Sequence, residues 1–311
     1  MPSVSVIIPM YNKEEYIEHC LRSILSQTFN DYEILVVDDG STDRSYERSL
    51  LVKDDRIFIH KLEHHGVSRA RNWGIKNARS DFVAFLDADD YWDKYHLEVL
   101  VKIRRKYPQA GAYATAYYFS IGNGQIRKTK MACINKKPWE GLLDNYFKSA
   151  VYGDPPICSS SVAIPKENFE IAGFFKEDEG FGEDLDMWGR IAMLKPICFS
   201  WEGPAFYRKG VIDNACHLKK HSDVTPFEKT IAALGEERSL PFLRNYINKI
   251  ELTRVFYMLE EGQIESAKRM IRYNKPMPGT RIYYLLAWLS VNTPLNLILI
   301  ARYFKKRIRG F

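Results

Sequence analysis

Hydrophobic runs alternate with amphipathic stretches through the first hundred residues of the chain. Four of the runs are apolar almost throughout, and they span residues 4–9, 32–37, 56–61 and 82–86. Between the first two, residues 17–25 repeat apolar side chains at intervals of three and four, the spacing of a helix with one buried stripe. Apolar strands separated by helices are typical of a parallel sheet that helices cover on both faces. The pattern therefore predicts a doubly wound, mainly parallel α/β sheet.

The hydrophobic pattern changes beyond residue 110. Residues 111–120 and 159–165 alternate well enough to predict two more strands, and residues 182–194 predict a helix. Residues 226–275 consist mainly of helix-forming side chains, with helix-breaking residues at two points within the range and one directly after it. The interruptions fall at Pro241, Gly262 and Pro276. We therefore expect a helical C-terminal appendage beside the α/β sheet.

The chain divides into three predicted parts. They are an α/β domain over residues 1–225, a helical appendage over 226–279, and an apolar and basic tail over 280–311. Within the tail, residues 282–301 carry no charge, but Asn292-Thr293-Pro294 interrupts the run near its middle. This favours helices that lie at an anionic membrane surface over one that spans it. Packing of the same helices on the body is the alternative.

Composition and charge narrow the classes of function. The chain is 46% hydrophobic and 27% charged, which is typical of a globular protein. The net charge of +6 lies in residues 280–311, which hold six basic residues and no acid and leave 39 of each elsewhere. A nucleic-acid-binding protein would carry basic charge on its body, so we expect no nucleic-acid partner. Five cysteines without a CxxC pair, and no signal-like start, predict a cytoplasmic protein, and the tail predicts that it is peripheral on the inner face of the membrane.

Carboxylates follow the predicted strands where open α/β sheets bind their ligands, beyond the carboxyl ends. Asp38 and Asp39 follow one strand, and Asp87, Asp89 and Asp90 follow another. Two carboxylates 4 Å apart repel by about 4 kcal/mol at an effective dielectric constant of about 20. A hard cation such as Mn²⁺ or Mg²⁺ would neutralise them. We expect the chain to turn here, with one carboxylate on the metal and the other on a ribose or a water.

Several of these residues also have an ordinary structural interpretation. Asp90 or Asp93 would cap a helix that begins near Lys94. The pair at 38 and 39 would form an Asx turn before Gly40. An arginine at 71 would lie on a solvated helix face, and a tyrosine at 11 would pack in the core.

Two long stretches carry a resemblance to a known family. Residues 3–92 contain "VSVIIPMYNKEEY" from Val4 onward and end in "FLDADDYW", and residues 171–191 read "IAGFFKEDEGFGEDLDMWGRI". Together they closely resemble the family-2 glycosyltransferases, which have the GT-A fold, and the resemblance fades after about residue 210. It implies transfer of a sugar, with inversion, from a nucleotide-sugar (most often UDP-linked) to an acceptor hydroxyl. Glycans and lipid-linked glycans are the acceptors that the resemblance implies.

The resemblance also implies roles for single residues. By the resemblance, Pro9, Tyr11 and Glu14 line the nucleotide pocket, Asp39 pairs with the nucleobase, and Arg71 lies near the nucleotide. Asp87 and Asp89 match the pair that holds the ribose and the metal–diphosphate. Of the last two, Asp89 is the expected metal ligand. In "GEDLDMW" the matching general base is Asp184, and Glu183 is expected beside the acceptor.

Helical spacing adds two expectations around the acidic motif. Trp188 lies four residues after Asp184 and is expected to share its helix face and stack on the acceptor. Asp186 and Arg190 have the same spacing and predict a structural ion pair.

One departure from the family concerns the third metal ligand. Many relatives carry a histidine soon after "YR", where this chain has Lys209-Gly210. The candidates are His217, His221 and Asp213, or a diphosphate held by Arg208 and Lys209 instead.

Rival functions fit the sequence less well. A receiver-type signalling domain also keeps acids at strand ends, but it would leave Asp184 unexplained. A dinucleotide-dependent oxidoreductase would need GxGxxG after the first strand, where this chain reads "PMYNKEE". A non-catalytic nucleotide- or glycan-binding relative is the remaining alternative, and the intact acids argue against it.

Overall fold

The computed structural model describes residues 1–122, 124–177, 182–210 and 240–292 of the 311-residue chain. Within them, ten strands form one sheet. They are β1 Val4–Met10, β2 Tyr32–Asp38, β3 Ile57–Lys61, β4 Phe82–Phe85, β5 Tyr91–Trp92, β6 Ala112–Ser120, β7 Ile126–Lys128, β8 Glu140–Leu142, β9 Val162–Pro165 and β10 Ile197–Arg208.

Helices cover both faces of this sheet and continue into the C-terminal part. They are α1 Ile17–Leu25, α2 Ser45–Leu50, α3 Val67–Asn77, α4 His96–Lys106, α5 Tyr146–Tyr152, α6 Glu167–Ala172, α7 Glu183–Leu194, α8 Leu243–Glu260, α9 Ile264–Tyr273 and α10 Arg281–Asn292. A short 3₁₀ turn, Ser159–Ser161, precedes β9.

The strand order explains where a ligand site forms. Along the sheet the order is β3-β2-β1-β4-β9-β6-β10-β5, with β7 on β6 and β8 on β10. The strands β1, β2, β3 and β4 pair in parallel, whereas β9 runs antiparallel between β4 and β6. Because β1 pairs with β2 on one side and β4 on the other, the chain order reverses there. Such a reversal opens a crevice at the carboxyl ends of the strands.

Core packing explains why the central strands are apolar throughout. Every residue of β1 and β2 is buried. Alternate residues face opposite sides of the sheet: Ile7 and Val37 join one core, and Ile8 and Val36 join the other. The prediction of a mainly parallel sheet with helices on both faces is confirmed. The sequence did not predict β5, β8 or β10, and residues 159–161 form the 3₁₀ turn rather than the start of a strand.

The predicted helical appendage is present as three helices in the described residues. Helix α8 begins just after Pro241, Gly262 separates it from α9, and Pro276 separates α9 from α10. Near its start α8 packs into the core of the α/β domain, and further along it packs into a separate core with α9 and α10. The appendage is therefore continuous with the domain through α8.

The tail prediction falls mostly outside the described residues. Residues 293–311 are not among them, and neither are residues 211–239. Among the helices that are described, none is both long enough and apolar enough to cross a membrane. The boundaries at residues 225 and 279 stay predictions.

Candidate active site

A cavity of about 480 Å³ opens at the carboxyl ends of the central strands. Eight of the ten residues predicted for the site line it: Pro9, Tyr11, Asp39, Arg71, Asp87, Asp89, Glu183 and Asp184. They come from segments as far apart in sequence as β1 and α7, and the sheet topology brings them together. The two exceptions are Glu14 and Trp188.

One end of the cavity is formed by Tyr11, His64 and Asp39. The imidazole of His64 stacks on the Tyr11 ring, with ring centroids 4.1 Å apart and planes inclined by 22°. Its Nδ1 lies 2.8 Å from Oδ2 of Asp39. The Asp39 carboxylate also accepts the backbone N–H groups of His65 at 3.0 Å and Gly66 at 2.8 Å. The buried carboxylate and the aromatic face therefore lie side by side.

The backbone next to Asp39 allows this close approach. Gly40 has a φ of 74°, and a Cβ at this position would lie 2.8 Å from the backbone nitrogen of His64. The neighbouring acid has a different role: Asp38 Oδ1 accepts the N–H of Ser41, three residues further on, at 3.0 Å and stabilises the turn, rather than forming the expected Asx turn to Gly40. Of the two acids, only Asp39 lines the cavity.

The expected turn after β4 is present. The N–H of Asp90 donates to the carbonyl of Asp87 at 2.9 Å, and the turn separates the three carboxylates. Asp87 and Asp89 line the cavity, whereas Asp90 is buried and accepts from Ser160 Oγ at 2.5 Å. The helix-cap alternative is wrong for both acids: α4 begins at His96 without a side-chain cap, and Asp93 accepts the N–H of Tyr95 before the helix.

Burial and like charge raise the pKa of Asp89 and of Asp90. For Asp89, burial has the largest effect; Lys13, whose Nζ lies 3.6 Å from Oδ2, lowers the pKa, and Asp87 raises it. For Asp90, burial and then the two neighbouring carboxylates raise the pKa well above its usual range. A cation next to Asp87 and Asp89 would offset this repulsion, so the donor set suits a hard metal ion.

Arg71 connects the turn to the acidic motif of α7. Its Nη2 donates to Asp87 Oδ1 at 2.9 Å and its Nη1 donates to Glu183 Oε1 at 3.0 Å. Burial acts to lower the pKa of Arg71, but Asp87, Glu183 and Asp184 together raise it above its ordinary value. The alternative of a solvated helix face is wrong, because this arginine is buried.

Asp184 has the properties of a carboxyl group that can exchange a proton near neutral pH. Burial, followed by the charge of Glu183, raises its pKa from 3.8 to about 7, although Arg71 and the N–H of Leu185 act in the opposite direction. Ser159 Oγ lies 3.4 Å from Asp184 Oδ2 and also accepts from Arg71 at 3.2 Å. The carboxyl is half-buried and faces the cavity.

Two other residues of the acidic motif, Asp186 and Trp188, are structural. The predicted ion pair between Asp186 and Arg190 is confirmed, with Arg190 Nη2 2.7 Å from Asp186 Oδ2 and both side chains buried. Trp188 is only 1% exposed, and its ring packs edge to face on Phe175 in the core. The expectation that Trp188 stacks on the acceptor needs correction, because one helical turn beyond Asp184 the side chain is already inside the domain.

Two predictions concern residues away from the cavity. Glu14 is outside its lining and accepts the N–H of Arg44 at 3.0 Å, so its place in the nucleotide pocket stays a prediction. The three candidates for a third metal ligand, His217, His221 and Asp213, lie outside the described residues. In the part of the chain that is described, no three His, Cys, Asp or Glu side chains form a cluster that could hold a metal ion.

Several lining residues were not predicted from the sequence. They include Lys13, His64 and Ser159, together with Tyr246, Lys249 and other residues of α8. Lys13 follows Asn12, which has a φ of 50°, and His64 lies in a loop that ends at Gly66 with a φ of 101°. Glycine and asparagine near strand ends were the available signal, but they do not report which side chain the loop presents.

Comparison with known proteins decides the family. The family model described as "Glycosyl transferase family 2" matches residues 5–164, about half of the chain. This chain belongs to glycosyl transferase family 2. Glycosyltransferase GlyA of Streptococcus pneumoniae is 39% identical to this family-2 chain over 125 residues, which cover 40% of this chain and 18% of that protein. An uncharacterized glycosyltransferase of Rickettsia felis is 34% identical over 198 residues, 62% of this chain and 31% of that protein.

Solved structures support the fold of this family-2 member. S. aureus TarS 1-349 in complex with UDP-GlcNAc is 18% identical, with a TM-score of 0.65, and the match covers 99% of this chain and 92% of that one. GalNAc-T7 with UDP, GalNAc and Mn²⁺ is 14% identical, with a TM-score of 0.58 and coverage of 83% and 51%. The predicted GT-A type fold is confirmed. The chain spans less than a third of the length of either curated relative, 18% of GlyA and 31% of the Rickettsia felis protein.

Proposed function

We propose that this chain is an inverting glycosyltransferase that moves a sugar from a UDP-linked donor to an acceptor hydroxyl. The observation that carries the proposal is the Asp184 carboxyl, whose pKa of about 7 suits a general base and which shares one cavity with Asp87 and Asp89. A receiver-type phosphoacceptor domain would not require the Asp184 carboxyl.

The base of the donor fits the end of the cavity at Tyr11 and Asp39. A carboxylate only accepts hydrogen bonds, so Asp39 suits the imide N–H of uracil, and the Tyr11 ring offers a stacking face. His64 makes the same two contacts from within the protein. In this proposal the imidazole moves aside when the nucleotide binds.

The diphosphate of the donor fits the turn at Asp87 and Asp89. Mn²⁺ and Mg²⁺ bind through one or two carboxylates and complete their coordination with substrate phosphates, so these two acids suit such an ion. When bound, the ion would neutralise negative charge on the leaving diphosphate. Lys13, Arg208 and Lys209 supply further positive charge around the same turn.

The proposed reaction is a single displacement. The Asp184 carboxylate takes the proton of the acceptor hydroxyl, and the oxygen forms a bond to the anomeric carbon. The bond between that carbon and the phosphate oxygen breaks at the same time, and UDP leaves with the electron pair. Arg71 keeps Asp87 and Glu183 in place. It also donates to Ser159, which in turn contacts the general base Asp184. It therefore acts as a positioning residue.

We also propose that the protein associates with an anionic membrane surface through α10 and the basic tail. On α10, Ile282, Leu285 and Trp288 are 70%, 54% and 45% exposed, and their spacing places them on one side of the helix. The six basic residues of the segment beyond 279 would add electrostatic attraction to anionic lipids. A cytoplasmic enzyme with a lipid-linked acceptor is consistent with such a surface.

A nucleotide-sugar screen tests the proposal. Thermal unfolding of the full chain would be followed with Mn²⁺ and UDP-, GDP-, CMP- and dTDP-linked sugars. The UDP-linked compounds should raise the melting temperature most, because a ligand of the native state adds stability. Release of UDP from the donor that binds should then depend on Asp184. Binding without any turnover of donor or acceptor would support the non-catalytic relative instead.

A further inference from the structure

Helix α8 forms a wall of the cavity that no sequence motif predicted. Tyr246, Lys249, Ile250, Thr253 and Tyr257 line it, and the spacing of three, four, seven and eleven residues places them on one stripe. The stripe extends about 16 Å along the helix axis at 1.5 Å per residue. Tyr283 of α10 lines the cavity as well. We name these six residues the α8 wall.

The α8 wall is contiguous with the acidic motif. The hydroxyl of Tyr246 donates to the carbonyl of Leu185 at 3.0 Å, next to Asp184. A molecule that lies along the wall therefore reaches the candidate base at one end. The half-buried Tyr283, together with the edges of the buried Tyr246, Ile250 and Tyr257 that line the cavity, provides apolar surface against which a sugar ring can pack.

Lys249 is the only cation of the α8 wall. Its Nζ donates to the carbonyls of Ala150 at 2.6 Å and Gly153 at 2.7 Å, at the carboxyl end of α5, and lies 5.4 Å from the centre of the Tyr283 ring. An ammonium group has three donors, so one is left over. Among the described residues, no carboxylate lies within 4.0 Å of this Nζ.

The ammonium group of Lys249 is half-buried, and both of its hydrogen-bond partners are neutral carbonyls. Burial lowers the pKa of Lys249 to about 8, and Asp154 acts in the opposite direction without an ion pair. An anion in the cavity would favour the charged form further and accept a charge-assisted hydrogen bond, about twice as strong as a neutral one. The helix cap on α5 explains two of the three donors but not the missing counter-ion.

We infer that the α8 wall binds an acceptor that carries an anionic group, a phosphate or a carboxylate, beside Lys249. The inference rests on the proposed function, because it takes the far part of the cavity to be the acceptor site. The acceptor hydroxyl then lies at Asp184 and the anionic group lies further along α8. Lys249 would thus select between charged and neutral acceptors.

Three small probes test the inference on the full chain saturated with UDP and Mn²⁺, which fills the donor side. Binding of glucose 1-phosphate, glucuronate and glucose would be measured by saturation-transfer NMR titration. At least one of the two anions should bind about tenfold tighter than glucose. Comparing glucose 1-phosphate with glucuronate shows whether the α8 wall prefers a phosphate or a carboxylate. Equal binding of all three probes by the wild-type chain would overturn the inference.

Variants of Lys249 locate the effect. Lys249→Met should remove the preference for the anion, and Lys249→Arg should keep it. Lys148→Met removes an exposed lysine of α5 outside the cavity lining and should change nothing. An anion preference that survives in Lys249→Met would also contradict the inference. If that variant does not fold, the binding of the three probes by the wild-type chain still decides between the outcomes. If UDP itself fails to bind, the proposed function is wrong; if UDP binds but no anion is preferred, only the inference is wrong.

Discussion

The imidazole of His64 lies flat on the ring of Tyr11, 4.1 Å from centroid to centroid, while its Nδ1 contacts the carboxylate of Asp39. A pyrimidine base would need that same aromatic face and that same acceptor. The His64 side chain is 47% exposed, so it can leave without disturbing the core. In the proposed function it competes with the nucleotide.

Replacing His64 should therefore strengthen nucleotide binding. A stacked aromatic pair is worth about 0.5–1.5 kcal/mol, so His64→Ala should bind UDP roughly two- to tenfold more tightly in isothermal titration. His65→Ala is the matched control, because its backbone N–H still reaches Asp39 and its affinity should not change. Weaker binding by His64→Ala would mean that the imidazole forms part of the base site.

Removing the candidate base should affect turnover and not donor binding. Asp184→Asn should lower the rate of sugar transfer by about 10²–10⁴ and leave UDP affinity near the wild-type value. Asp186→Asn is the comparison: it breaks the buried pair with Arg190 and should destabilise the fold by roughly 3–5 kcal/mol. Thermal unfolding and steady-state kinetics separate the two effects. A stable Asp186→Asn variant without turnover would contradict the assignment.

The raised pKa of Asp184 predicts two pH effects of known sign. Turnover should rise with pH through about 7, because the base must be ionised. Stability should change the other way: between about pH 4 and 7 the native state binds more protons than the unfolded state, so this group weakens the fold as the pH rises. Asp184→Asn should thus exceed the wild-type melting temperature at pH 8, with a smaller difference at pH 4. An unchanged difference would contradict the raised pKa.

Metal removal should distinguish the role of Asp89 from that of the nucleobase site at Tyr11 and Asp39. UDP should raise the melting temperature more with Mn²⁺ than with EDTA, because the ion would join the diphosphate to the carboxylates. Asp89→Asn should abolish the effect of the ion, while uridine, which has no phosphate, should be insensitive to both changes. Equal stabilisation by UDP with and without metal would exclude Asp89 as a metal ligand.

The exposed side of α10 should bind anionic vesicles. Ile282→Ser/Leu285→Ser should reduce cosedimentation with vesicles that contain phosphatidylglycerol, and UDP affinity should stay unchanged. Leu51→Ser/Ile171→Ser removes two apolar side chains of similar exposure, 61% and 60%, from the α/β domain and is the control. Equal loss in both variants would indicate nonspecific adsorption.

The donor side was predictable because neighbouring parallel strands end at the same edge of a sheet. Once β1, β2 and β4 were recognised as apolar runs, the residues after them had to meet, and Tyr11, Asp39 and Asp87 do. Strand β10 was missed because Gly203 and Pro204 interrupt it, and its pairing with β6 shifts register between Ser200 and Ala205.

Side-chain direction was less predictable than strand position. Helical spacing correctly paired Asp186 with Arg190. It also placed Trp188 on the same helix face as Asp184, but spacing alone does not show that the helix enters the core one turn after Asp184. His64 and Lys13 depend on loop backbones with positive φ nearby, which periodicity does not report. The α8 wall arises only from tertiary packing of the appendage on the domain, and the sequence of α8 alone does not reveal which side faces a cavity.

The division of the cavity between two regions of the chain has an evolutionary consequence. The residues proposed for the nucleobase and the metal lie before residue 90, whereas the α8 wall lies beyond residue 240. If the α8 wall binds the acceptor as inferred, changes in the second region would alter the recipient of the sugar without altering the first. A lineage can thus inherit one nucleotide-handling domain and diversify its products by exchanging a single helix.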